Sequence, residues 1–393
     1  MTETVKQSRY AVERETVSAQ VSDYQALIKV AQVLSSETDL DRLLNLVIDE
    51  TNRLLHADRT TLFLVDAEKD ELYSKIALGL TGEIRVKVGT GLAGFVAATG
   101  ELVNVEDVAT DSRFAIKFDK EGGYVTKNLL TVPLKNHNGK VIGVLQAINK
   151  LDGNFNIRDE EVAIAFASLA TIAIENATMR RDIEEMLNSF IVTMARTIDA
   201  RDPQTAGHSE RVAFYARLVA LKLGFTDEEA RVVEIAGLLH DYGKIGVPEA
   251  VLTKPGTFTA EERAFIETHV VKSEEILSNI YLIGQLKRIP LIVGQHHERV
   301  NGKGYPRKLK GNDITLEGRI LAVSDVYDAL TVRRYYREPM TATDALKLLR
   351  NEIGIHFDEQ CVEALEQVVA EVGAPRRPDK DTAPLEEQFA LRS

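Results

Sequence analysis

Apolar residues recur at helical spacing from Val21 onward, at Tyr24, Leu27, Ile28, Ala31 and Leu34, and again across Asp39–His56. Two amphipathic helices are predicted there. The period then shortens to strand-like runs at Thr60–Val65, Glu71–Ala77, Ile84–Val88, Asn128–Pro133 and Val141–Asn149, separated by polar turns such as His137-Asn138-Gly139. Helices at both ends of an antiparallel sheet make an α+β domain. From Asp159 to about Arg201 the helical period returns and persists, through Val162, Phe166, Leu169 and Ile172, then Met179, Ile183, Met186, Phe190 and Met194. A seam this long calls for a partner helix, so the stretch reads as one long helix entering the second domain through a parallel dimeric coiled segment. Two packed helices broken near Asn176 are the alternative. Beyond Arg201 almost everything is helical, with short loops at Gly224, Gly243–Pro248 and Asn301–Pro306, which predicts an all-α second domain. The first 20 or so residues are polar, and the tail after Gly373 is charged and Pro-rich, a composition that predicts disorder.

Composition narrows the function. The 393 residues, 44% of them hydrophobic, suffice for two cored domains. No uniformly apolar run approaches the roughly 20 residues that span a bilayer, and the N-terminus lacks an apolar signal core. The expectation is a cytoplasmic protein without a membrane partner. A single cysteine, Cys361, excludes a disulfide framework and reads as a small core residue. A net charge of −12 argues against a DNA-binding surface, which needs clustered cations. A small anionic ligand needs only a few, and Lys244, Lys254, Arg334 and Arg337 are candidates.

The candidate chemistry lies in the helical half. His208, the pair His240-Asp241, His269, the pair His296-His297 and Asp325 include five of the eight histidines. Imidazole nitrogen and carboxylate oxygen together suit divalent transition metals. Neighbouring residues on a helix diverge by about 100°, so each side-by-side pair can face two adjacent ions. His56 and His137 lie outside this set and are expected at the surface; His356 reads as structural. Gly89, Gly91 and Gly94 match a G-x-G-x-x-G string with Asp111 about 20 residues on, but no βαβ repeat surrounds them, and they read as turn and close-packing positions.

The context of these residues is as specific as the residues themselves: LLHDYGKIGVPEAVLTKPGTFTAEE, HHERVNGKGYP and RILAVSDVYDALTVRRYYR. From about Ile191 to about Val369 the chain resembles the HD-GYP branch of the HD metal-dependent phosphohydrolases, named for residues such as Gly304-Tyr305-Pro306. The resemblance implies one ion held by His208, His240 and Asp241, a second by His269, His296 and His297, with Asp241 bridging and Asp325 completing the site. A third-metal glutamate of some relatives is here Gln204, which implies two metals, usually iron and sometimes manganese. It further implies hydrolysis of cyclic di-GMP to pGpG and onward to GMP, with Asp241 and Lys244 as catalytic residues. Lys244 would neutralise charge on the non-bridging oxygens, Arg334 and Arg337 would grip phosphate, Gly302 and Gly304 would let the backbone approach the ligand, and Tyr305-Pro306 would shape the wall. Asn301, Ser273 and Tyr335 depart from common residues of that branch, and none is an implied metal ligand.

The first domain resembles GAF domains of the cyclic nucleotide phosphodiesterase and adenylyl cyclase branch, carried by Asn149, Lys150, Phe155, Asp159 and Glu160. That resemblance implies a cyclic AMP or cyclic GMP pocket with Phe114 on the base, Asp119 and Thr126 lining it and Thr126 on the cyclic phosphate, in a segment that also holds Tyr124. The Asn-Lys-Phe-Asp-Glu residues would support the frame. Gly122 stands where a threonine is usual, removing one hydroxyl. A GAF fold serving only dimerisation or another ligand is the alternative. The organisation expected is a helical segment 1–37, a GAF domain 38–178, a connecting helix 179–200, an HD-GYP domain 201–373 and a tail 374–393, in a homodimer. Two other outputs compete with hydrolysis: a non-catalytic cyclic di-GMP receptor, and an HD phosphohydrolase acting on another nucleotide.

Overall fold

The computed structural model describes residues 21, 23–74, 83–114, 124–201, 207–254, 256–332 and 338–373. The chain divides into two compact units, Met1–Glu184 and Glu185–Ser393. The polar start, the tail 374–393, Asp119, Gln204, Arg334, Tyr335 and Arg337 lie outside the described residues.

In the first unit, helices α1 (residues 23–36) and α2 (Leu40–Leu55) precede strands β1 (Ala57–Asp66), β2 (Glu71–Ser74) and β3 (Ile84–Lys87). Helix α3 (Gly91–Thr99), strands β4 (Val103–Val105), β5 (Leu129–Lys135) and β6 (Val141–Lys150), and the start of helix α4 (Ile157–Arg201) complete it. The sheet is antiparallel in the order β3-β2-β1-β6-β5-β4. Its register puts Leu62 opposite Leu145 and Phe63 opposite Val144. Side chains alternate along a strand, so these two pairs serve opposite faces. Leu62, Leu130, Val132 and Leu145 pack with Leu43 and Val47 of α2 and Phe166 and Ala170 of α4. Phe63, Val144 and Leu72 pack with Leu92 and Val96 of α3. Helix α2 starts where Asp39 accepts a bond from the Arg42 amide and stops at His56, whose φ of 49° is left-handed.

Several expectations are corrected. Tyr24 and Ile28 are exposed, and Leu27, Val30 and Leu34 form the buried stripe of α1. Strand β4 went unread, because three residues between turns carry too little alternation to be seen. An added Cβ at Gly94 would lie 2.6 Å from the Lys87 carbonyl oxygen, so close packing accounts for that glycine. Helix α4 is continuous through Asn176, which removes the two-helix alternative. It is also apolar enough, by length and composition, to pass for a membrane span, contrary to expectation. Within the first unit its Ala163, Phe166, Ala167, Ala170 and Ile174 are buried in the core, which explains that composition.

The signature residues of this unit brace its frame. Asn149 donates to Tyr124 Oη at 2.9 Å and to the Val125 carbonyl at 2.8 Å, and accepts from the Lys127 amide at 2.7 Å. Lys150 Nζ lies 2.7 Å from Asp159 Oδ1 and 5.6 Å from the centre of the Phe155 ring. Glu160 accepts from Asn104 at 2.8 Å. Tyr124 donates its hydroxyl to Asp58 and lies under Arg59, so it is also part of the frame. Phe114 packs against the second core face, and Thr126 is buried.

The second unit is helical: α5 (His208–Lys222), α6 (Asp227–Leu239), α7 (Glu249–Leu252), α8 (Ala260–Ser278), α9 (Ile289–Val293), α10 (Leu316–Thr331), α11 (Ala342–Asn351) and α12 (Glu359–Val372). Thr226 and Thr259 open α6 and α8 as capping boxes with Glu229 and Glu262. Helices α5 and α6 meet at Gly237, where a Cβ would lie 2.8 Å from Ala213 Cα. Cys361 is fully buried in this core.

Lys150→Met retains an apolar stem beside Phe155 but leaves the Asp159 carboxylate, whose side chain is 13% exposed, without its cation. The expected loss is about 2–3 kcal/mol of local stability. Hydrogen exchange of the β6 amides in the full chain measures it; unchanged protection would show that the pair does not hold the frame.

Candidate metal centre

Most of the candidate ligands are delivered by helix ends or turns, and His269 and Asp325 by helix interiors. His208 is the first residue of α5, after Gly207 at φ 69°. That start is tied down next door, where Ser209 Oγ donates to Asp199 Oδ1 at 2.9 Å. His240 ends α6, and Asp241 opens a 3-10 turn over Tyr242–Gly246. His269 lies inside α8, His296 and His297 follow α9, and Asp325 lies inside α10.

The turn after Asp241 is fitted tightly to α8. A Cβ at Gly243 would lie 2.0 Å from the His269 carbonyl oxygen. Ser273 Oγ accepts from the Gly243 amide at 2.7 Å and donates to the His240 carbonyl at 2.8 Å. The serine at this position thus joins two ligand-bearing elements.

Three of the imidazoles are oriented by one device. Nδ1 of His240, His269 and His296 donates to the carbonyl three residues back, Gly237 at 2.7 Å, Ile266 at 2.6 Å and Val293 at 2.6 Å. A carbonyl only accepts, so Nδ1 carries a proton and, in the neutral ring, Nε2 presents a lone pair. Nδ1 of His208 is held instead by Asp328 Oδ2 at 2.7 Å. Arg211, one turn along α5, grips the same carboxylate with Nε at 2.6 Å and Nη2 at 3.1 Å. Asp328 and Arg211 are both 1% exposed. Neither was singled out from sequence, although His208-x-x-Arg211 and Asp325-x-x-Asp328 place each beside a ligand on the same helix face.

The lone pairs converge. His269 Nε2 and His296 Nε2 lie 3.4 Å apart. Asp241 stands between the groups, with Oδ1 3.2 Å from His269 Nε2 and Oδ2 3.4 Å from His240 Nε2. Asp325 Oδ1 lies 3.3 Å from His208 Nε2. Ligating atoms of His208, His240 and Asp325 lie within 4.8 Å of one another, as do those of His269, His296 and His297, and those of His240, Asp241 and His296. All seven predicted ligands are therefore brought into one cluster, in two groups linked by a third made of His240, Asp241 and His296.

The electrostatics fit a cation. Burial holds His269, His296 and His297 below the usual histidine range, the last at about 3, so they are neutral with lone pairs available. Burial would raise the Asp241 and Asp325 carboxyls. The Lys244 ammonium beside Asp241 and the His208 ring beside Asp325 outweigh it and hold both well below the ordinary value. Burial would likewise lower His208 and His240, yet Asp325 and Asp328 raise His208 to about 10 and Asp241 raises His240, so an incoming ion would displace a proton from Nε2 of these two rings. Among the described residues buried His240 Nε2 has no hydrogen-bond partner. An orphaned ring nitrogen and two imidazole nitrogens facing each other are costly in an apolar interior, and a shared divalent ion satisfies both.

Lys244 Nζ donates to Asp241 Oδ2 at 2.6 Å at the edge of the cluster. The Tyr305 ring lies against His297, centroids 4.8 Å apart and planes inclined 34°. The Tyr305-Pro306 bond is cis. Buried Glu298 accepts from the Arg307 amide at 2.6 Å and the Leu309 amide at 3.0 Å, clamping this loop. Gly304 faces its own chain, since a Cβ there would lie 2.5–2.6 Å from backbone atoms of residues 297–299. Loop packing is thus sufficient reason for that glycine. His56 and His137, in the first unit, are exposed.

The HD domain family matches residues 192–361 and the GAF domain family residues 39–174. The chain is 42% identical over 188 residues to the cyclic di-GMP phosphodiesterase response regulator RpfG of Xanthomonas campestris pv. campestris, covering 47% of this chain and 48% of that protein. It is 37% identical over 183 residues to 3'3'-cGAMP-specific phosphodiesterase 3 of Vibrio cholerae, covering 47% of this chain and 39% of that one. The chain thus spans less than half the length of either relative. A solved HDG"Y"P protein from Bdellovibrio bacteriovorus matches with a TM-score of 0.37 and 17% identity over 59% of this chain and 84% of its own. Residues 39–174 are a GAF domain and residues 192–361 an HD domain, and with the Gly304-Tyr305-Pro306 loop closing on the histidine cluster the chain belongs to the HD-GYP branch.

Proposed function

We propose that the seven clustered side chains hold two divalent transition ions, iron or manganese, and that the chain hydrolyses cyclic di-GMP to pGpG and onward to GMP. The facing Nε2 atoms of His269 and His296, both with Nδ1 committed to a carbonyl, carry this reading most directly. His208, His240 and Asp325 suit one ion and His269, His296 and His297 the other. Asp241, with one oxygen toward each group, suits the bridge. Bound metal supplies Lewis-acid activation of water and phosphate. Asp328 and Arg211 fix the His208 ring so that only Nε2 faces inward. Lys244, anchored on Asp241, keeps a positive charge where the non-bridging oxygens gain negative charge. Arg334 and Arg337 are the phosphate-gripping pair by motif, and Tyr305 with Pro306 forms the wall. Water adds to phosphorus, the ester bond to the 3′ oxygen breaks, and that oxygen leaves with a proton. Relatives named for cyclic di-GMP and for 3'3'-cGAMP support a cyclic dinucleotide as the substrate class.

The GAF domain we assign to sensing cyclic AMP or cyclic GMP, with Phe114, Asp119, Tyr124 and Thr126 as candidate contacts. The exposed residues Ile172, Met179, Ile183, Met186 and Phe190 of α4 recur at spacings of seven, four, three and four, which favours a parallel homodimer seam.

Metal-loaded protein incubated with cyclic di-GMP should yield pGpG by mass spectrometry. Lys244→Ala should lower kcat by about 10²–10³-fold, and His240→Ala should abolish turnover. Conversion by His240→Ala equal to that of the wild type would refute the site. Asp328→Asn should weaken metal affinity by about 10–100-fold, read by elemental analysis after dialysis against a graded chelator. Unchanged retention would mean that Asp328 serves folding alone.

A further inference from the structure

A cavity of about 540 Å³ opens beside the metal centre, bounded at one end by His296, His297 and Tyr305. Cavities of this size hold nucleoside-sized ligands. Much of its lining is apolar, including Phe258, Val326, Leu348 and Phe357. One edge is polar and ordered. Arg299 Nη1 lies 2.9 Å from His356 Nε2, and His356 Nδ1 lies 3.2 Å from Glu352 Oε2. A guanidinium only donates, so His356 accepts at Nε2 and carries its proton on Nδ1, toward the Glu352 carboxylate. The relay has one direction, from Arg299 through His356 to Glu352, and holds the guanidinium by a single nitrogen. Among the described residues Arg299 makes no other side-chain hydrogen bond or ion pair, so the remaining N–H groups of its fork are available to a ligand.

We infer that this cavity receives a purine base of the substrate, and that Arg299, positioned by His356 and Glu352, selects guanine over adenine. The inference rests on the cyclic dinucleotide reading above. Guanine presents two acceptors, O6 and N7, on one edge; adenine presents one acceptor and one donor there. A fork of donors satisfies the first and meets a donor in the second. The Tyr305 ring, held against His297, and Phe258 at the rim supply aromatic faces for a base to stack on.

The test uses the full-length, metal-loaded protein and two readouts: kcat and KM with cyclic di-GMP and cyclic di-AMP, and calorimetric binding of GMP and AMP. Arg299→Ala should raise KM for cyclic di-GMP about tenfold, with a smaller change in kcat, and should erase the preference for guanine in both assays. His356→Ala should lose part of that preference. Phe258→Ala should weaken both bases alike and leave their ratio intact. Metal content measured on each variant reports that the centre is assembled. Cyclic di-GMP cleavage whose guanine preference survives Arg299→Ala would overturn this inference and leave the proposed activity standing. A protein that cleaves no cyclic dinucleotide, yet prefers GMP to AMP through Arg299, would overturn the proposed substrate and support the base site. No guanine preference in the wild type would overturn the base site outright.

Discussion

Imidazole nitrogens with their lone pairs turned toward one another, in a largely buried cluster, are the constraint on which the second unit depends. Each Nε2 of His240, His269 and His296 is forced into this position because the opposite nitrogen is committed to a carbonyl of its own helix turn. The rings cannot relieve the repulsion without breaking those bonds, and each would cost about 1 kcal/mol or more to lose. A cation removes the conflict at once. The helical scaffold is thus built to be completed by metal, and the apolar core around it makes the incompleteness expensive.

The supporting contacts follow from the same need. Arg211 is fully buried, and a buried guanidinium is tolerated only when fully paired. It finds that pairing on Asp328, which in turn sets the tautomer of His208. Ser273 binds the His240-Asp241 turn to the helix that carries His269. Glu298, next to His297, holds the loop that brings Tyr305 onto the cluster. Ligand, orienting residue and loop clamp are often within three positions of one another in sequence, so short motifs carry both chemistry and geometry.

That economy explains what could be read in advance. The seven candidate ligands were legible because paired, metal-suited side chains recur in ordered motifs, and the α+β and all-α halves were legible from hydrophobic period. Asp328 and Arg211 were not, because an Asp or Arg one turn from a ligand looks like an ordinary solvated helix face until burial is known. Strand β4 was too short to show a period, and the stripe of α1 was misplaced because Tyr24 and Ile28 are apolar yet exposed. The reason for Gly304 was also hidden, since packing against residues 297–299 depends on how the loop folds back. The guanidinium relay through His356 joins residues 57 positions apart, which no local pattern announces.

Anomalous diffraction from crystals of protein prepared without chelator, collected across the iron and manganese absorption edges, tests the central claim most directly. Two peaks are expected, one among His208, His240 and Asp325 and one among His269, His296 and His297, with Asp241 between them. A well-ordered structure of such protein with no anomalous peak in the cluster would contradict the account.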